Sequence, residues 1–471
     1  MPLPNAHPKK WVKRTQTRTK HRILKKYMEA WFPILGSKYK RLVVVDGFAG
    51  RGWYADKSDG GNNTHDEAGG PWDGSPLLIL KTLLTHTRRE ALDNVEFVFL
   101  FIEKNEANWR SLRDLVDTER SAGFPKNVTV QVENKRFDEI ETNGLRKYVL
   151  NPVPSQATFL FIDPFGYTGF PMTLLESLSS PNTADNNSHK IELFINFQSE
   201  SVDRFNSDPS QQFNMERLFG IPFSEILSEY SEDTGLDRLH KIFTSILKER
   251  GQFRYAEGIA MRRENNLLIY HLVYVTRHLK GLDTMRKAIW EAQFPEGLEK
   301  SALKEIREKK NSEESEALIE ELKKYFENSP TDDLSVEEIK NYVLEWTQYH
   351  STHVHPTIRK MKKKGWIELK EDVQVKKQSG ARGSPTKYVW KGQTTLTTES
   401  EMEPETEKRS PVRKGKGQVK KNSGSSRSAV KCASKSRQGS QPTLHSYWAP
   451  VKAVREGYRD TEGLSTRNMK H

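Results

Sequence analysis

The residues best suited to chemistry lie in two short loops, each of which directly follows an apolar run. In the first loop, within VVVDGFAGRGWY, Asp46 is followed by Gly50 and Gly52. Glycines at such a place allow a tight turn and a close approach of the backbone to a ligand. Glu103 ends the next apolar run, VEFVFLFIE, where a carboxylate could accept hydrogen bonds from two ribose hydroxyls. An ordinary turn and a solvated carboxylate are the alternative interpretations of these residues.

The second loop, FLFIDPFGYTGFP, places Asp163 at the end of a further apolar run and Phe165 two positions later. Pro164 ends the strand there, so a carboxylate and an aromatic ring follow the run as a candidate site. The alternative is an aspartate that only caps the following helix.

Both loops resemble sequence motifs of S-adenosylmethionine-dependent methyltransferases. Asp-x-Phe-Ala-Gly-x-Gly is similar to motif I, and Asp-Pro-Phe-Gly resembles motif IV, Asp-Pro-Pro-Tyr, of enzymes that methylate exocyclic amino groups. The resemblance implies an S-adenosylmethionine cofactor held by Asp46, Gly50, Gly52 and Glu103. It also implies that the Asp163 carboxylate accepts hydrogen bonds from a target amine and orients its lone pair, while the Phe165 ring stacks on the base. Some tRNA guanine-amino methyltransferases share the Asp-Pro-Phe-Gly form, which leaves RNA methylation open as an alternative. Cytosine C5 methylation is excluded, because it needs a cysteine in this region and the chain's one cysteine is Cys432.

Residues 1–298 alternate apolar runs with helical stretches, which is typical of an α/β fold. The continuous apolar runs predict parallel strands covered on both faces, at 41–46, 95–103, 128–132, 158–163 and 191–196. Two later runs, separated by RRENN, predict an antiparallel pair at the end of the sheet. An amphipathic helix precedes the strands, with one apolar face formed by Ile23, Tyr27, Trp31 and Ile34. The sequence therefore predicts a class I methyltransferase-like Rossmann sheet.

A smaller unit is predicted at residues 317–392, after a charged linker at 299–316. Three helices followed by two basic strands around a turn-rich stretch predict a winged helix-turn-helix domain. Ser335 and Glu338 have the spacing of a capping box at the start of its second helix. The apolar stripe predicted for that helix consists of Val336, Ile339, Val343 and Trp346.

The third helix of this unit, HPTIRKMKKKG, has a basic face. In helix-turn-helix domains such a helix lies in the major groove of DNA, and basic residues of the wing contact phosphates. The predicted DNA-binding residues are Arg359, Lys360, Lys363, Arg382 and Lys387. A solvated basic surface is the alternative. His353 and His355 are interpreted as polar residues at the entry of this helix, so no metal site is predicted.

The chain of 471 residues has a formal charge of +12, and residues 393–471 contribute +8 of it, with 16 basic and 8 acidic side chains. This stretch lacks apolar periodicity, so we expect a disordered basic tail. Its segment QPTLHSYW (441–448) resembles a PIP box, with matching residues Gln441, Leu444, Tyr447 and Trp448. The resemblance implies docking on a PCNA-type sliding clamp, because a leucine and two aromatic rings at this spacing fill an apolar pocket.

Residues 18–292 resemble one protein family, the three-Cys-motif partner proteins (TcmP). The matching segments are KHRILKKYMEAWFPIL, VVVDGFAGRGWY, GSPLLIL, FIDPFGY, ELFINF and YHLVYVTRHLKGLDTMRKAIW. The resemblance implies a methyltransferase-like sheet that works in DNA repair or genome defence. It also implies a partner with three cysteines that looks like a radical S-adenosylmethionine enzyme related to spore photoproduct lyase. The family often carries a C-terminal winged helix.

The leading hypothesis is a DNA-associated, methyltransferase-like protein of repair or genome maintenance that is tethered to the sliding clamp. The competing hypothesis is a catalytically inactive adaptor that binds DNA and recruits the partner enzyme. A single cysteine excludes an internal disulfide framework and any cysteine-based metal site built by this chain alone. No apolar run is long enough to span a bilayer. We expect the protein in the nucleus of a eukaryotic host, or otherwise in the cytoplasm with the nucleoid.

Overall fold

The computed structural model describes residues 15–54, 72–139, 144–179, 189–205, 208–228, 236–262, 266–295, 298–329, 333–370 and 387–391. The helices of its first part are α1 (Thr15–Gly36), α2 (Ser75–Leu84), α3 (Glu106–Ser121), α4 (Met172–Ser179), α5 (Ser199–Phe205), α6 (Gln212–Phe219), α7 (Phe223–Ser228), α8 (Leu236–Arg250) and α9 (Leu279–Glu291). The strands are β1 (Arg41–Asp46), β2 (Trp53–Tyr54), β3 (Trp72–Asp73), β4 (Glu96–Ile102), β5 (Val128–Glu133), β6 (Gln156–Ile162), β7 (His189–Phe197), β8 (Tyr255–Arg262) and β9 (Leu268–Thr276).

Seven of these strands form one sheet in the order β5-β4-β1-β6-β7-β9-β8. The strands β5, β4, β1, β6 and β7 are parallel, and β9 pairs antiparallel with both β7 and β8. Counted along the chain, the sheet strands therefore follow the order third, second, first, fourth, fifth, seventh, sixth, with the seventh reversed. This is the topology of the class I methyltransferase-like Rossmann sheet, so the predicted fold class is confirmed.

The sheet is covered by helices on both faces, and its strands are apolar at nearly every position for that reason. In β1, Leu42 and Val44 pack in the layer that contains α1, α2, α3 and α9. Val43 and Val45 pack in the opposite layer, with α4 to α8. Successive residues of a strand point to opposite faces, so one continuous apolar run supplies both cores.

Helix α1 is fixed to the sheet by a buried carboxylate as well as by apolar packing. Glu192 of β7 accepts hydrogen bonds from Tyr27 Oη at 2.6 Å and from Trp31 Nε1 at 2.7 Å. Thr276 Oγ1 of β9 donates to the same carboxylate at 3.1 Å, and Lys190 Nζ lies 3.0 Å from it. A fully buried charge needs such partners, because it has lost its hydration. These contacts therefore fix the position of α1 across β7 and β9.

A smaller unit follows α9. Its helices are α10 (Lys300–Glu327), α11 (Val336–Trp346) and α12 (Val354–Lys363). Its strands β10 (Asp333–Ser335), β11 (Ile367–Leu369) and β12 (Lys387–Trp390) form an antiparallel sheet in the order β10-β12-β11. Its core is apolar and includes Leu318, Leu322, Ile339, Val343, Ile358 and Met361. The winged-helix assignment stays a prediction, because the residues between β11 and β12 lie outside the described part of the chain.

The predicted capping box is present at the start of α11. Ser335 Oγ accepts a hydrogen bond from Glu338 N at 3.1 Å, and Glu338 Oε2 accepts one from Ser335 N at 2.7 Å. Two other expectations were wrong. Residues 299–316 do not form a separate linker, since residues 300–316 lie within the 28-residue helix α10. Trp346 does not join the apolar stripe, because it ends α11 and is 60% exposed.

Arg286 of α9 joins the two units. Its guanidinium donates to Glu257 Oε2 of β8 at 2.9 and 3.0 Å. It also donates to the carbonyl oxygens of Leu344 and Tyr349, in the smaller unit, at 3.1 and 3.0 Å. One buried cation therefore holds the second unit against the last helix of the Rossmann domain.

No helix among the described residues is both long and apolar enough to cross a membrane. Several predictions fall outside the described residues: the basic tail, Arg382, and the clamp-docking residues Gln441, Leu444, Tyr447 and Trp448.

Candidate cofactor and substrate site

Three neighbouring strand ends form one edge of the sheet. β1 lies between β4 and β6, and the three strands are parallel. Asp46 is the last residue of β1, Glu103 follows β4, and Asp163 follows β6. The strand order reverses between β1 and β6, and open α/β sheets bind ligands outside the carboxyl ends of their strands at such a point. The fold therefore brings the three predicted carboxylates to the same edge.

The loop after β1 is held by backbone hydrogen bonds. Ala49 N donates to Ile102 O at 2.9 Å, which ties the loop to the end of β4. Gly50 and Gly52 have φ angles of 66° and 85°, a region that favours glycine. Gly74 N donates to Gly52 O at 2.7 Å, and a Cβ on Gly74 would lie 2.8 Å from Gly52 C. The absence of a side chain at Gly74 thus lets the start of α2 approach the glycine loop.

The Asp46 carboxylate is fully buried. Its Oδ1 accepts a hydrogen bond from Phe48 N at 3.2 Å, whereas its Oδ2 has no hydrogen-bond partner among the described residues. Burial raises the pKa of Asp46 to about 7, because the ionised form loses its hydration, and the nearby Ser75 hydroxyl and the Phe48 amide offset only part of this effect. A buried oxygen without a partner is costly, so this one fits a ligand that brings a hydrogen-bond donor to the glycine loop.

Glu103 connects the glycine loop to the start of α3. Its Oε2 accepts a hydrogen bond from Gly50 N at 2.8 Å, and its Oε1 accepts one from Asn105 N, the N-cap residue of α3, at 2.7 Å. Burial raises the pKa of this carboxyl group. Each carboxylate oxygen has two lone pairs, so both oxygens retain acceptor capacity. Glu103 can therefore hold the loop and still accept hydrogen bonds from the hydroxyls of a ribose.

Asp163 lies in a polar cluster with residues from two other elements. Lys20 Nζ of α1 contacts Asp163 Oδ2, and Asn196 Nδ2 of β7 donates to Asp163 Oδ1 at 2.7 Å. The Lys20 side chain is 6% exposed, and its ammonium lies 5.9 Å from the ring centroid of Tyr270. Both carboxylate oxygens of Asp163 thus have a partner in the protein. A target amine would share the carboxylate with Lys20 or displace its ammonium.

Aromatic side chains lie beside these acids. Phe165 is 76% exposed, so its ring is accessible for stacking on a planar group. The ring of Tyr54 makes an edge contact with His21, with their centroids 5.6 Å apart. Burial and the charges of Asp163 and Asp46 raise the pKa of Tyr54, which keeps its phenol protonated as a hydrogen-bond donor.

Sequence reasoning missed two of the polar residues at this edge, Lys20 and Asn196. A signal for Lys20 was present, because it lies three residues before Ile23 and so continues the apolar face of α1. A lysine on a buried face needs a carboxylate partner, but the sequence did not show which one. The position of Asn196 in an apolar run, ELFINF, was a similar but weaker signal.

The predicted DNA-binding residues of the smaller unit differ in their contacts. Arg359 and Lys363 are exposed on α12. Lys360 Nζ instead donates to Ser312 O of α10 at 2.7 Å. Lys387 Nζ donates to Asp333 Oδ1 at 2.8 Å. The cations of α12 and β12 are therefore not equally available to phosphates.

No protein-family model matches this sequence, and no curated protein matches it. Parts of several solved structures align with it. EvdMO1 aligns at 14% identity over 55% of this chain and 42% of that chain, with a TM-score of 0.27. Spermidine synthase from Thermotoga maritima aligns at 9% identity over 57% and 62%, with a TM-score of 0.28. The O-methyltransferase TomG from Streptomyces achromogenes, solved in complex with SAM, aligns at 11% identity over 54% and 80%, with a TM-score of 0.27. The alignments with the first two proteins thus span less than two thirds of their length. The fold class of this chain rests instead on the order and direction of its strands.

Proposed function

We propose that the Rossmann domain binds S-adenosylmethionine and that the protein is a DNA-associated methyltransferase for amino groups. The supporting observation is the meeting of Asp46, Glu103 and Asp163 at adjacent strand ends, around a glycine loop, in the class I topology. Asp46 Oδ2 and the remaining lone pairs of Glu103 would accept hydrogen bonds from the cofactor. Gly50 and Gly52 would allow its close approach to the backbone. When bound, S-adenosylmethionine supplies an electrophilic methyl group.

On the substrate side, Asp163 and Phe165 have separate roles in this proposal. The Asp163 carboxylate accepts a hydrogen bond from the target amine and orients its lone pair, while the exposed ring of Phe165 stacks on the base. Asn196 positions the carboxylate through its 2.7 Å hydrogen bond. Lys20 compensates the Asp163 charge until the amine arrives.

The first test is calorimetric titration of the full-length protein with S-adenosylmethionine. We expect one site per chain with a micromolar Kd. Glu103→Gln should weaken binding at least about tenfold, because a charge-assisted acceptor contributes roughly 1.5–3 kcal/mol. Glu106→Gln is the matched control, since Glu106 is three residues away and its side chain is 63% exposed. Absence of binding to folded protein, or equal weakening by both variants, would contradict the proposed cofactor site.

One observation favours the alternative of a catalytically inactive adaptor. Both carboxylate oxygens of Asp163 already have partners in the protein, Lys20 and Asn196, as expected of a carboxylate that stabilises the fold and does not bind a substrate. The two functions differ in methyl transfer from labelled S-adenosylmethionine to DNA. A methyltransferase should label DNA and lose most of this activity in Asp163→Asn, with cofactor affinity retained. Cofactor binding without transfer to DNA or RNA would support the adaptor, and transfer to RNA alone would support the RNA-modifying alternative.

We further propose two partners beside DNA. The PIP-box-like segment would dock on a PCNA-type sliding clamp and hold the folded domains near DNA at high effective concentration. The resemblance of residues 18–292 to the TcmP family supports a three-Cys radical S-adenosylmethionine protein as the second partner. Docking on the clamp would bring the protein to the nucleus in a eukaryotic host and to the nucleoid, in the cytoplasm, in any other host.

The clamp proposal is tested with the full-length protein and purified clamp. Tyr447→Ala and Trp448→Ala should each weaken binding by about 30-fold or more, because such aromatic anchors contribute at least about 2 kcal/mol. Ser446→Ala, between the anchors and the leucine, should leave the Kd within about twofold. Equal affinity of all four proteins would contradict this docking mode.

A further inference from the structure

A buried cluster of possible metal ligands lies where the two folded units meet, away from the glycine loop. Glu314 belongs to α10, and His350 and His353 belong to the turn before α12. Their exposed fractions are 7%, 4% and 1%. His353 lies at the predicted helix entry, because it is the N-cap residue of α12, and it is buried there. His355, the other histidine of that prediction, is exposed.

The three side chains converge. One ligand atom from each lies within 4.8 Å of the other two. His353 Nε2 is 2.9 Å from Glu314 Oε2, and the ring centroids of His350 and His353 are 3.8 Å apart. In a tetrahedral zinc site with bonds of about 2.0–2.1 Å, neighbouring donors are roughly 3.4 Å apart. The donors, which lie within 4.8 Å of one another, would therefore have to move closer together by side-chain rotation when an ion binds.

One of the two histidines, His350, also has the secondary contact that metal ligands usually need. His350 Nδ1 lies 2.7 Å from Thr352 Oγ1, whereas His350 Nε2 has no hydrogen-bond partner among the described residues. His353 Nδ1 has none in that part of the chain either. Ligating histidines commonly use one nitrogen for such an outer hydrogen bond and the other for the metal. Thr352 therefore orients His350 with a free nitrogen toward the cluster.

The cluster lines a cavity of about 40 Å³ between α9, α10 and residues 348–353. A volume of roughly 15 Å³ holds one water, so an ion with a bound water fits. Arg286 also lines this cavity, but its charge is compensated by Glu257 at 2.9 Å. Lys310 Nζ, 4.0 Å from Glu314, is a second nearby cation. The carboxylate of Glu314 offsets part of the charge that an ion would bring.

We propose that Glu314, His350 and His353 bind one zinc-type divalent ion, with water in the fourth position. Two histidines and one carboxylate are a known ligand set for zinc with an open position. The ion would connect α10 to the turn before α12. Because the Trp290 ring of α9 makes edge contacts with both histidines, at 5.5 and 5.9 Å, fixing the histidines would also stiffen the contact between the smaller unit and α9.

Cobalt titration of metal-stripped, full-length protein tests the site. We expect one equivalent of Co²⁺ to bind with the visible absorption of a four-coordinate ion. A thiolate charge-transfer band should be absent, because Cys432 is not a proposed ligand. Zn²⁺ should displace the Co²⁺ and raise the unfolding temperature by at least about 3 °C, whereas Mg²⁺ should not, since it prefers oxygen ligands.

Variants then assign the ligands. His350→Gln and Glu314→Gln should each weaken Co²⁺ binding at least tenfold, and the exposed His355→Gln should bind normally. Circular dichroism of each metal-free variant verifies its fold. Lack of stoichiometric binding by the wild-type protein, a thiolate band, or unchanged affinity in folded His350→Gln would each overturn the proposal. If His350→Gln does not fold, the wild-type spectrum and the difference between Zn²⁺ and Mg²⁺ still decide.

Discussion

Replacing Arg286 with methionine tests how firmly the two units are joined. The Arg286 and Glu257 side chains are each 8% exposed and 2.9 Å apart. Removing one partner of a buried ion pair typically costs about 3–5 kcal/mol, because the other charge is left buried without compensation. The carbonyl oxygens of Leu344 and Tyr349 lose a donor in the same variant. We therefore expect Arg286→Met to lower the free energy of unfolding by about 4 kcal/mol.

Arg254→Met provides a matched control for this prediction. Arg254 also reaches the smaller unit, with its guanidinium 2.9 Å from Glu345, but its side chain is 69% exposed. Exposed ion pairs contribute about 0–1 kcal/mol, because water and salt screen them. Each substitution thus removes an ion pair with a 2.9 Å contact, one buried and one exposed, and Arg286→Met also removes the donor to two carbonyl oxygens.

The assay is urea unfolding of metal-free protein, followed by hydrogen exchange at the amides of residues 333–370. Arg286→Met should speed exchange across that region, and Arg254→Met should not. Adding Glu257→Gln to Arg286→Met should restore part of the lost stability, because the uncompensated charge is gone. Losses for the two single variants that agree within about 0.5 kcal/mol would refute the assigned role of burial.

Three further predictions concern the loops and the basic helix. Burial raises the pKa of Asp46 to about 7, so the folded protein favours the protonated carboxyl group. The free energy of unfolding of the wild-type protein, relative to that of Asp46→Asn, should therefore be highest below about pH 4 and fall by roughly 4 kcal/mol by pH 7. Urea unfolding at pH 5 and 8 checks this, and a constant difference would contradict it. Gly74→Ala should lower the free energy of unfolding by about 1–3 kcal/mol and weaken cofactor binding, because the added Cβ would lie 2.8 Å from the Gly52 backbone. Gly166→Ala is the control, because a Cβ there has no atom within 4 Å. Thermal unfolding measures the stability of each variant and calorimetry its cofactor affinity, and equal effects of the two substitutions would contradict the prediction. Lys363→Gln should reduce the slope of log K for DNA binding against log salt concentration by about one, because one phosphate contact is lost. Lys360→Gln should reduce it less, because Lys360 already donates to Ser312 of α10. Fluorescence anisotropy at several salt concentrations measures the two slopes, and identical slopes would count against the assignment.

The sheet could be predicted from the sequence because each buried strand is a continuous apolar run. β1 has the predicted bounds, and β4 and β7 differ from them by one or two residues at each end. The sequence also indicated which carboxylates follow strands, since Asp46 and Asp163 terminate such runs. The topology then placed both at one edge, as a parallel sheet requires.

Contacts between distant segments could not be predicted in the same way. Lys20 and Asp163 are 143 positions apart, and no local pattern relates them. Residues 299–316 look like a linker because they are mostly charged, yet tertiary packing of the second half of α10 extends the helix through them. His353 follows a polar stretch, and contacts with distant segments, among them Glu314 of α10 and Trp290 of α9, bury it.

The attachment of α1 through Glu192 has a consequence for the order of folding. Tyr27 is 165 positions from Glu192, and its hydroxyl also lies 2.7 Å from that of Tyr274, 247 positions away. At a synthesis rate of about 5–20 residues per second, the ribosome needs roughly 12–50 s to extend the chain from Tyr27 to Tyr274. Throughout this interval the apolar face of α1 is exposed, because the sheet against which it packs is incomplete. Helix α1, the first of the described helices, is therefore secured late, because its contacts with Tyr274 cannot form until β9 has emerged.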